Sequence, residues 1–455
     1  MKFTITNKVL CEGLPNQVAT FIKDSLTVVN PEFADRIAME KSIFGVDEKL
    51  KYYIRKTSDS YLIPVGFFEE LLNYCLENGY PVTGGDIYDQ RVQTSDKEFF
   101  SKLKFKAQLR PYQEPIEDHC LDYSVGVIQA KTGSGKTVSF IKVICERKVN
   151  TMVLVDTKDL ANQTVDALIQ FTNLKKDDIG FIGDGRYEVK PITVCILKSL
   201  TLMDKQKEDE VHSFFGQVIT DEVHIIAANT YFKALSAMPA KFKFGFSATL
   251  KRADGLTPVI FWANGPLRYK VPDEDVAHAL IIPSYIQVDT DYYFPLFDTS
   301  EYQAMLTHMA EDEERNKLIL AEFMKRKERP SVFLCMRQSH VEILADLIPS
   351  CVPLISSLST KDRAQNMADL KSGKAQNAAT TFALFAKGMD VPRLEVAYLC
   401  GPMKAETKLR QTGGRVMRKS DATGKETSLM VDFIDKRVGL LYGQSRTRAK
   451  ILRDL

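Results

Sequence analysis

Short apolar runs alternate with amphipathic stretches over two long parts of the chain. In the first part, from about residue 110 to 260, the apolar runs are Val125–Gln129, Thr151–Asp156, Ile192–Leu197, Gln217–Thr220 and Lys243–Ser247. In the second part, the rhythm returns at Ser331–Met336, Val352–Ser356, Asn377–Phe382, Val396–Cys400 and Ser428–Phe433. Such alternation predicts parallel sheets with crossover helices. The chain is therefore predicted to contain two α/β lobes.

Residues 1–100 follow a different pattern. Strand-like pieces at Tyr52–Arg55 and Tyr61–Pro64 precede a helical pattern from Gly66 to Asn78, and Gly79 is placed to cap that helix. We expect a small α+β accessory domain over 1–100, a first lobe over 101–272 and a second over 273–455. Several prolines and the only tryptophan, Trp262, indicate a connector between the lobes, with a strand within 280–288.

Composition narrows the class of protein. The 455 residues are 44% hydrophobic and 26% charged, which is typical of a soluble globular protein. The net charge of +2 means that a partner with a phosphate backbone has to be met by local basic patches. The cysteines and histidines lack metal-ligand or redox spacing, so the only expected metal is Mg²⁺ carried by a nucleotide. Without a signal core or an apolar run of membrane length, we expect a cytoplasmic protein with no membrane partner.

A glycine-rich segment follows the apolar run Val125–Gln129 and precedes an amphipathic stretch. Its residues are Ala130, Lys131, Thr132, Gly133, Ser134, Gly135, Lys136 and Thr137. The two glycines let backbone N–H groups turn toward an anion, and Lys136 supplies a point charge for the outer phosphates. The pattern predicts a nucleoside triphosphate site, although glycine-rich turns also serve plain strand-to-helix packing.

Two acids follow the run Val218–Thr220, in the sequence Asp221-Glu222-Val223-His224. Acids at the carboxyl end of such a strand face the phosphate loop in doubly wound sheets. We expect Asp221 to hold Mg²⁺ with Thr137, and Glu222 to polarise the attacking water. The alternative is that the two acids belong to a solvated surface.

Further motifs extend the pattern across both lobes: Arg110-Pro-Tyr-Gln113, Lys198-Ser199, Ser247-Ala-Thr249 and Gln411-Thr-Gly-Gly-Arg415-Val-Met-Arg418. In order and spacing, residues 105–435 resemble the superfamily 2 helicases, and His224 in the acidic tetrad resembles their DExH type. The resemblance implies two tandem RecA-like parallel-sheet lobes, ATP with Mg²⁺ as cofactors, and nucleic acid as partner.

The resemblance also implies roles for individual residues. Arg110 and Gln113 would recognise the adenine, and Gly388 and Asp390 would lie at the nucleotide. Gln411, Arg415 and Arg418 would reach the transferred phosphoryl group from the second lobe, although Arg415 and Arg418 alone are more typical of surface or ion-pair arginines. His224, Ser247 and Thr249 would couple the site to motion. Contacts with a nucleic-acid strand are implied for Thr157, Lys158, Lys198, Ser199, Arg337 and Thr381.

Within this superfamily the chain resembles the phage UvsW-type recombination helicases, through Ile54-Arg55, Ile63-Pro64-Val65-Gly66 and Gly79-Tyr80. That resemblance implies ATP-driven remodelling of branched or forked DNA in phage-type replication, recombination or repair, with proteins of those processes as partners, in a host cytoplasm if the gene is viral. The accessory domain over 1–100 is then expected to bind DNA. Three alternatives stay open: a motor acting on RNA, a restriction-enzyme motor subunit, and a non-catalytic scaffold with a vestigial ATP fold.

Overall fold

A computed structural model of the chain describes residues 1–131, 133–252, 254–277, 281, 283–295, 298–389, 391–416 and 424–453. The chain divides into two compact units, of which one contains residues 1–131 and 135–271 and the other residues 132–134 and 272–455. Among the described residues, no helix has both the length and the apolar character needed to cross a membrane.

The N-terminal part of the first unit is a small α+β region. Its elements are β1 Lys2–Ile5, β2 Lys8–Glu12, α1 Asn16–Ser25, β3 Thr27–Val29, α2 Pro31–Ala38, β4 Lys49–Lys51, β5 Ile54–Arg55, β6 Tyr61–Pro64, α3 Phe68–Glu77, β7 Ile87–Asp89 and α4 Lys97–Lys102. Five of the strands form a sheet in the order β5-β6-β2-β1-β7, and β3 pairs with β4. Alternate residues of β1 and β2 are buried, as expected for strands with one face on a core.

The remainder of the first unit is an α/β lobe. Its elements are α5 Glu114–Asp122, β8 Val125–Gln129, α6 Lys136–Arg147, β9 Thr151–Val155, α7 Lys158–Phe171, β10 Gly180–Gly183, β11 Arg186–Glu188, β12 Ile192–Ile196, α8 Leu197–Leu200, α9 Lys205–Phe214, β13 Gln217–Asp221, α10 Asn229–Ala237, β14 Phe242–Ser247, α11 Thr257–Asn264 and β15 Leu267–Lys270. The sheet order is β11-β10-β12-β9-β13-β14-β8-β15. Only β11 runs antiparallel to its neighbour. The carboxyl ends of β13, β14 and β8 therefore meet at one edge of the sheet.

The N-terminal region shares its core with this lobe. The Tyr52 ring lies 5.0 Å from Trp262 and 4.8 Å from Phe232. A Cβ added at Gly66 would lie 2.1 Å from the carbonyl oxygen of Phe261, so only glycine permits this approach to α11. The connector predicted around Trp262 was wrong over 258–271, because those residues form the buried helix α11 and the sheet strand β15. Pro258 is compatible with α11 because a first-turn residue needs no N–H partner.

The second unit is a second parallel α/β lobe. Its elements are α12 Asp273–Ala277, β16 Ser284–Asp289, α13 Tyr302–Glu311, α14 Glu313–Met324, β17 Ser331–Cys335, α15 Gln338–Leu347, β18 Cys351–Leu354, α16 Thr360–Ser372, β19 Asn377–Thr381, α17 Phe382–Gly388, β20 Val396–Leu399, α18 Glu406–Val416, β21 Leu429–Ile434 and α19 Gly439–Arg453. All pairs in the sheet β16-β21-β20-β17-β19-β18 are parallel. The predicted fold class, two tandem parallel-sheet lobes with a small α+β region before them, is confirmed.

Candidate nucleotide site

The predicted phosphate loop lies between β8 and α6. Gly133 and Gly135 have φ of +88° and +83°, which are left-handed values that glycine adopts without strain. The Lys136 side chain is buried in the loop, where its Nζ donates to the carbonyl oxygen of Ala130 at 3.1 Å and lies 3.5 Å from that of Lys131. Thr137 is half-buried in the first turn of α6. The loop thus holds an ammonium beside a helix N terminus, as an anion site requires.

Gln113 lies directly against this loop. Its side chain is buried, and its Oε1 accepts a hydrogen bond from the backbone N–H of Arg110 at 2.9 Å. A Cβ added at Gly135 would lie 2.3 Å from Gln113 Nε2. Gly135 is therefore required both by its φ and by the approach of the amide. The structure thus brings Gln113 to the loop and Arg110 beside Gln113, and their assignment to the adenine stays a prediction.

The two acids lie two strands away from the loop, at the carboxyl end of β13. Asp221 Oδ1 accepts from the backbone N–H of Glu222 at 3.0 Å. Glu222 itself has φ +52°, a left-handed conformation that costs energy for a residue with a side chain. Its Oε2 lies 3.3 Å from His224 Nδ1 and 3.3 Å from Ser247 Oγ. The turn therefore aims the carboxylate at neighbouring polar groups rather than at bulk water.

Charge stabilises the ionised form of Glu222. Burial favours the neutral acid, but the Lys136 ammonium and hydrogen bonds from His224 and Ser247 together outweigh it. The pKa of Glu222 is consequently held below its ordinary value. An ionised carboxylate offers only acceptor oxygens, which suits a group that orients a water molecule or takes its proton.

A further set of hydrogen bonds connects the turn after β13 to the end of β14. Ser247 Oγ lies 3.0 Å from His224 Nδ1 and 2.9 Å from the carbonyl oxygen of Thr249. Arg252 Nη1 donates to the carbonyl oxygen of His224 at 2.7 Å. The sequence motifs indicated His224, Ser247 and Thr249. They did not indicate Arg252, which lies three residues after Thr249. His224, Ser247 and Thr249 are thus brought together as one hydrogen-bonded set.

These residues fit a magnesium-bound nucleoside triphosphate. The left-handed glycines and Lys136 suit the phosphates, together with Lys131 and Ser134 of the same loop. Thr137 and Asp221 are the residues that would hold Mg²⁺, a cation that prefers oxygen ligands and neutralises phosphate charge when bound. Within the described ranges, no three His, Cys, Asp or Glu side chains cluster as a metal site of their own.

The predicted nucleic-acid contacts follow strands in both lobes. Thr157 and Thr381 have the same local role, since each Oγ accepts at 3.3 Å from a backbone N–H in the first turn of the next helix, α7 and α17 respectively. Such N-caps fix the loop that precedes the helix. Lys198 and Ser199 lie in the short helix α8, with Lys198 exposed.

The other two predicted contacts have protein partners. Lys158 forms an ion pair with Asp184. Arg337 donates through Nη2 to both the carbonyl oxygen and the side-chain oxygen of Gln303, at 2.9 and 2.8 Å. All six contacts stay predictions.

The structure describes some of the second-lobe residues that were predicted at the nucleotide, but not all of them. Arg415 donates to the carbonyl oxygens of Met389 at 2.9 Å and Ala386 at 3.1 Å, and so fixes the end of α17. The Gln411 and Gly388 backbones belong to α18 and α17. Thr132, Asp390 and Arg418 lie outside the described residues. The assignment of Arg415, Arg418 and Gln411 to the phosphoryl group therefore stays a prediction.

Two family models match the chain. Residues 106–252 match the model described as type III restriction enzyme, res subunit. Residues 314–420 match the model of the helicase conserved C-terminal domain. Together these matches place the chain in the superfamily 2 helicase group, and helicase domains of this kind imply the use of ATP.

Several individual proteins are similar to the chain. L396 of Acanthamoeba polyphaga mimivirus, named as an ATP-dependent RNA helicase, is 25% identical over 76% of this chain and 68% of its own. The DNA 3'-5' helicase XPB of Kineococcus radiotolerans is 31% identical over 39% of this chain, which spans only 32% of that protein. Helicase D10 of Escherichia phage T5 is 25% identical over 78% of this chain and 79% of its own.

Solved structures share the fold. S. cerevisiae Dbp5 bound to RNA and ADP BeF3 has 14% identity and a TM-score of 0.55, over 80% of this chain and 94% of that one. The alignment with the crystal structure of T4 UvsW covers 100% of this chain and 97% of that one, at 18% identity and a TM-score of 0.44.

Proposed function

We propose that the chain is an ATP-dependent DNA helicase or translocase that unwinds or remodels branched duplex DNA in phage-type replication, recombination or repair. The observation that carries the motor assignment is the first-lobe site, in which Lys136 lies in the phosphate loop and stabilises the Glu222 carboxylate. A scaffold with a vestigial fold has no need for a strained, ionised Glu222. The proposal includes the DExH type, a cytoplasmic location, in a host cell if the gene is viral, and replication or recombination proteins as partners.

The residues of the first lobe have separate roles in ATP hydrolysis. Lys136 and the loop N–H groups bind the phosphates and offset their charge. Glu222, kept ionised by its surroundings, orients the attacking water and takes up its proton. His224 contacts Glu222 and Ser247. A change at the Glu222 carboxylate therefore alters the contacts of the Ser247–Thr249 turn. We propose that this hydrogen-bonded set couples hydrolysis to movement along the strand.

The choice of DNA as the substrate rests on the nucleic acids for which similar proteins are named. The XPB protein, named for action on DNA, is 31% identical over 181 residues, whereas L396, named for RNA, is 25% identical over 362 residues. The longer match of L396 keeps an RNA motor as the second candidate. A-form RNA would require contacts with 2′-hydroxyls or unstacked bases.

One experiment separates these candidates. ATP hydrolysis is measured with single-stranded DNA, linear duplex, a fork, a four-way junction and structured RNA at one salt concentration, with Glu222→Gln as the matched inactive protein. The proposal predicts that forked or four-way DNA stimulates turnover most. Strongest stimulation by RNA would favour the second candidate, and hydrolysis that no nucleic acid changes would contradict both.

A further inference from the structure

Three cations form a row on the last helix of the second unit. Arg446, Lys450 and Arg453 occupy positions i, i+4 and i+7 of α19, so they share one side of the helix. All three are exposed. Tyr442, one turn earlier on the same side, is also exposed. We call these four residues the α19 face.

The α19 face forms one wall of a groove of about 480 Å³. The groove is also lined by Gln287 and Asp289 of the edge strand β16 and by Lys436, just after β21. Lys436 pairs with Asp289, so the one acid that lines the groove is already neutralised. The groove is left with the positive charge of the α19 face.

This concentration of charge is local. Residues 436–453 contain six Lys or Arg and no Asp or Glu, whereas the whole chain has 61 basic and 59 acidic residues. Within the described ranges, no carboxylate pairs with Arg446, Lys450 or Arg453. Like charges one turn apart repel each other and destabilise a helix unless an anion lies between them. Lys450 and Arg453 gain from the helix dipole in the last turn of α19, but Arg446, two turns before the end of the helix, does not. The row therefore offers three exposed cations to an external anion.

The helix is held rigidly behind this row. Arg448, on the opposite side of α19, is buried and donates through Nε to Asp432 of β21 at 2.9 Å. The Tyr285 hydroxyl of β16 donates to the same carboxylate at 2.7 Å. The first contact ties α19 to β21, and the second ties β21 to β16. The cations are thus presented on a fixed frame, which lowers the entropy lost on binding.

We propose that the α19 face and its groove bind the phosphate backbone of duplex nucleic acid, a contact that none of the motif residues provides. The row from Arg446 to Arg453 is about 10 Å long, or about three base-pair steps along a duplex. A single-strand site would need several aromatic side chains for stacking, and this face has one tyrosine. The inference rests on the proposed nucleic-acid motor function and adds a duplex-holding site to it.

The test uses the full chain with three charges removed, Arg446→Gln, Lys450→Gln and Arg453→Gln. Its control is Lys102→Gln, Lys205→Gln and Lys317→Gln, an equal change of charge at exposed helical lysines that already pair with carboxylates. Duplex affinity is measured from about 50 to 200 mM salt, and ATP hydrolysis is measured without nucleic acid and at saturating duplex.

The α19-face variant should bind duplex about tenfold or more weakly at the low-salt end, and the slope of log affinity against log salt should fall by about 2 to 3. Its nucleic-acid-free turnover should match that of the parent. Unchanged duplex affinity, the result expected if the face binds an acidic protein, would overturn the inference, as would an equal loss in the control. A parent that binds no nucleic acid would instead overturn the proposed function itself.

Discussion

His224 Nδ1 lies 3.0 Å from Ser247 Oγ and so connects the acidic turn after β13 to the end of β14. Through this contact, the site of hydrolysis at Glu222 is connected to the turn that leads to Thr249. Replacing Ser247 with Ala removes a hydroxyl that interacts with Glu222, His224 and Thr249, without touching Lys136.

We expect Ser247→Ala to keep nucleic-acid-free ATP hydrolysis within a few-fold of the parent, while strand movement per ATP falls by about threefold to thirtyfold. Unwinding of a fork and ATP turnover are measured on the same preparation. Ser236→Ala, at another buried serine of the first lobe, is the control. Equal losses in both readouts would mean that Ser247 serves hydrolysis and not coupling.

Glu222→Gln separates binding from chemistry. The amide keeps the size of the side chain but cannot take up a proton, so turnover should fall by about a hundredfold to ten-thousandfold. ATP affinity, measured by competition with a fluorescent nucleotide, should change little because Lys136, Thr137 and Asp221 remain. Loss of nucleotide binding would contradict the role given to Glu222.

Gly66→Ala tests the core shared by the N-terminal region and the first lobe. The added methyl would meet backbone atoms of α11, which no side-chain rotation relieves. We expect a loss of about 1 to 3 kcal/mol in the free energy of unfolding, seen as a lower denaturant midpoint. Gly84→Ala, where the methyl meets nothing within 4 Å, is the control. A Gly66→Ala midpoint equal to that control would refute the close packing.

Removing the N-terminal region would disturb the same shared core. Tyr52 and the turn at Gly66 cover Trp262 and Phe232, so removing residues 1–95 would expose apolar surface of the first lobe. The N-terminal region is therefore expected to be needed for a stable motor, whatever it adds to DNA binding.

His340 gives the second lobe a dependence on pH. Burial, together with repulsion from Arg315, lowers its pKa to about 3, and Nε2 lies 2.9 Å from Asn316 Oδ1. Because the unfolded chain binds the proton near pH 6.5 and the folded chain does not, stability falls as pH drops through that range. From pH 7 to 5 the parent should lose about 2 kcal/mol more than His340→Gln, by denaturant unfolding. Parallel stability curves for the two proteins would contradict this assignment.

The sequence predicted most strands of the lobes to within two residues, because parallel strands buried on both faces read as apolar runs. It missed β10, β11 and β15, which are short and contain glycine or charged residues. It also misassigned α11, since prolines near Trp262 suggested a connector.

The phosphate loop and acids were predictable because their spacing is local. The approach of Gln113 to Gly135 and the bond from Arg252 to His224 join segments that are distant in sequence or outside the motifs, so spacing alone did not reveal them. The α19 face was missed for a similar reason, since its charges matter only once β16 lies beside them.

The central claim is that Lys136 and Glu222 form a nucleotide site that drives a nucleic-acid motor. The most direct measurement is ATP hydrolysis by the parent and by Lys136→Ala, each with and without forked DNA, after both proteins give the same unfolding midpoint. The account predicts DNA-stimulated turnover in the parent and none above background in Lys136→Ala, because the loop loses the ammonium that offsets phosphate charge. Parental turnover or fork unwinding by Lys136→Ala would contradict it.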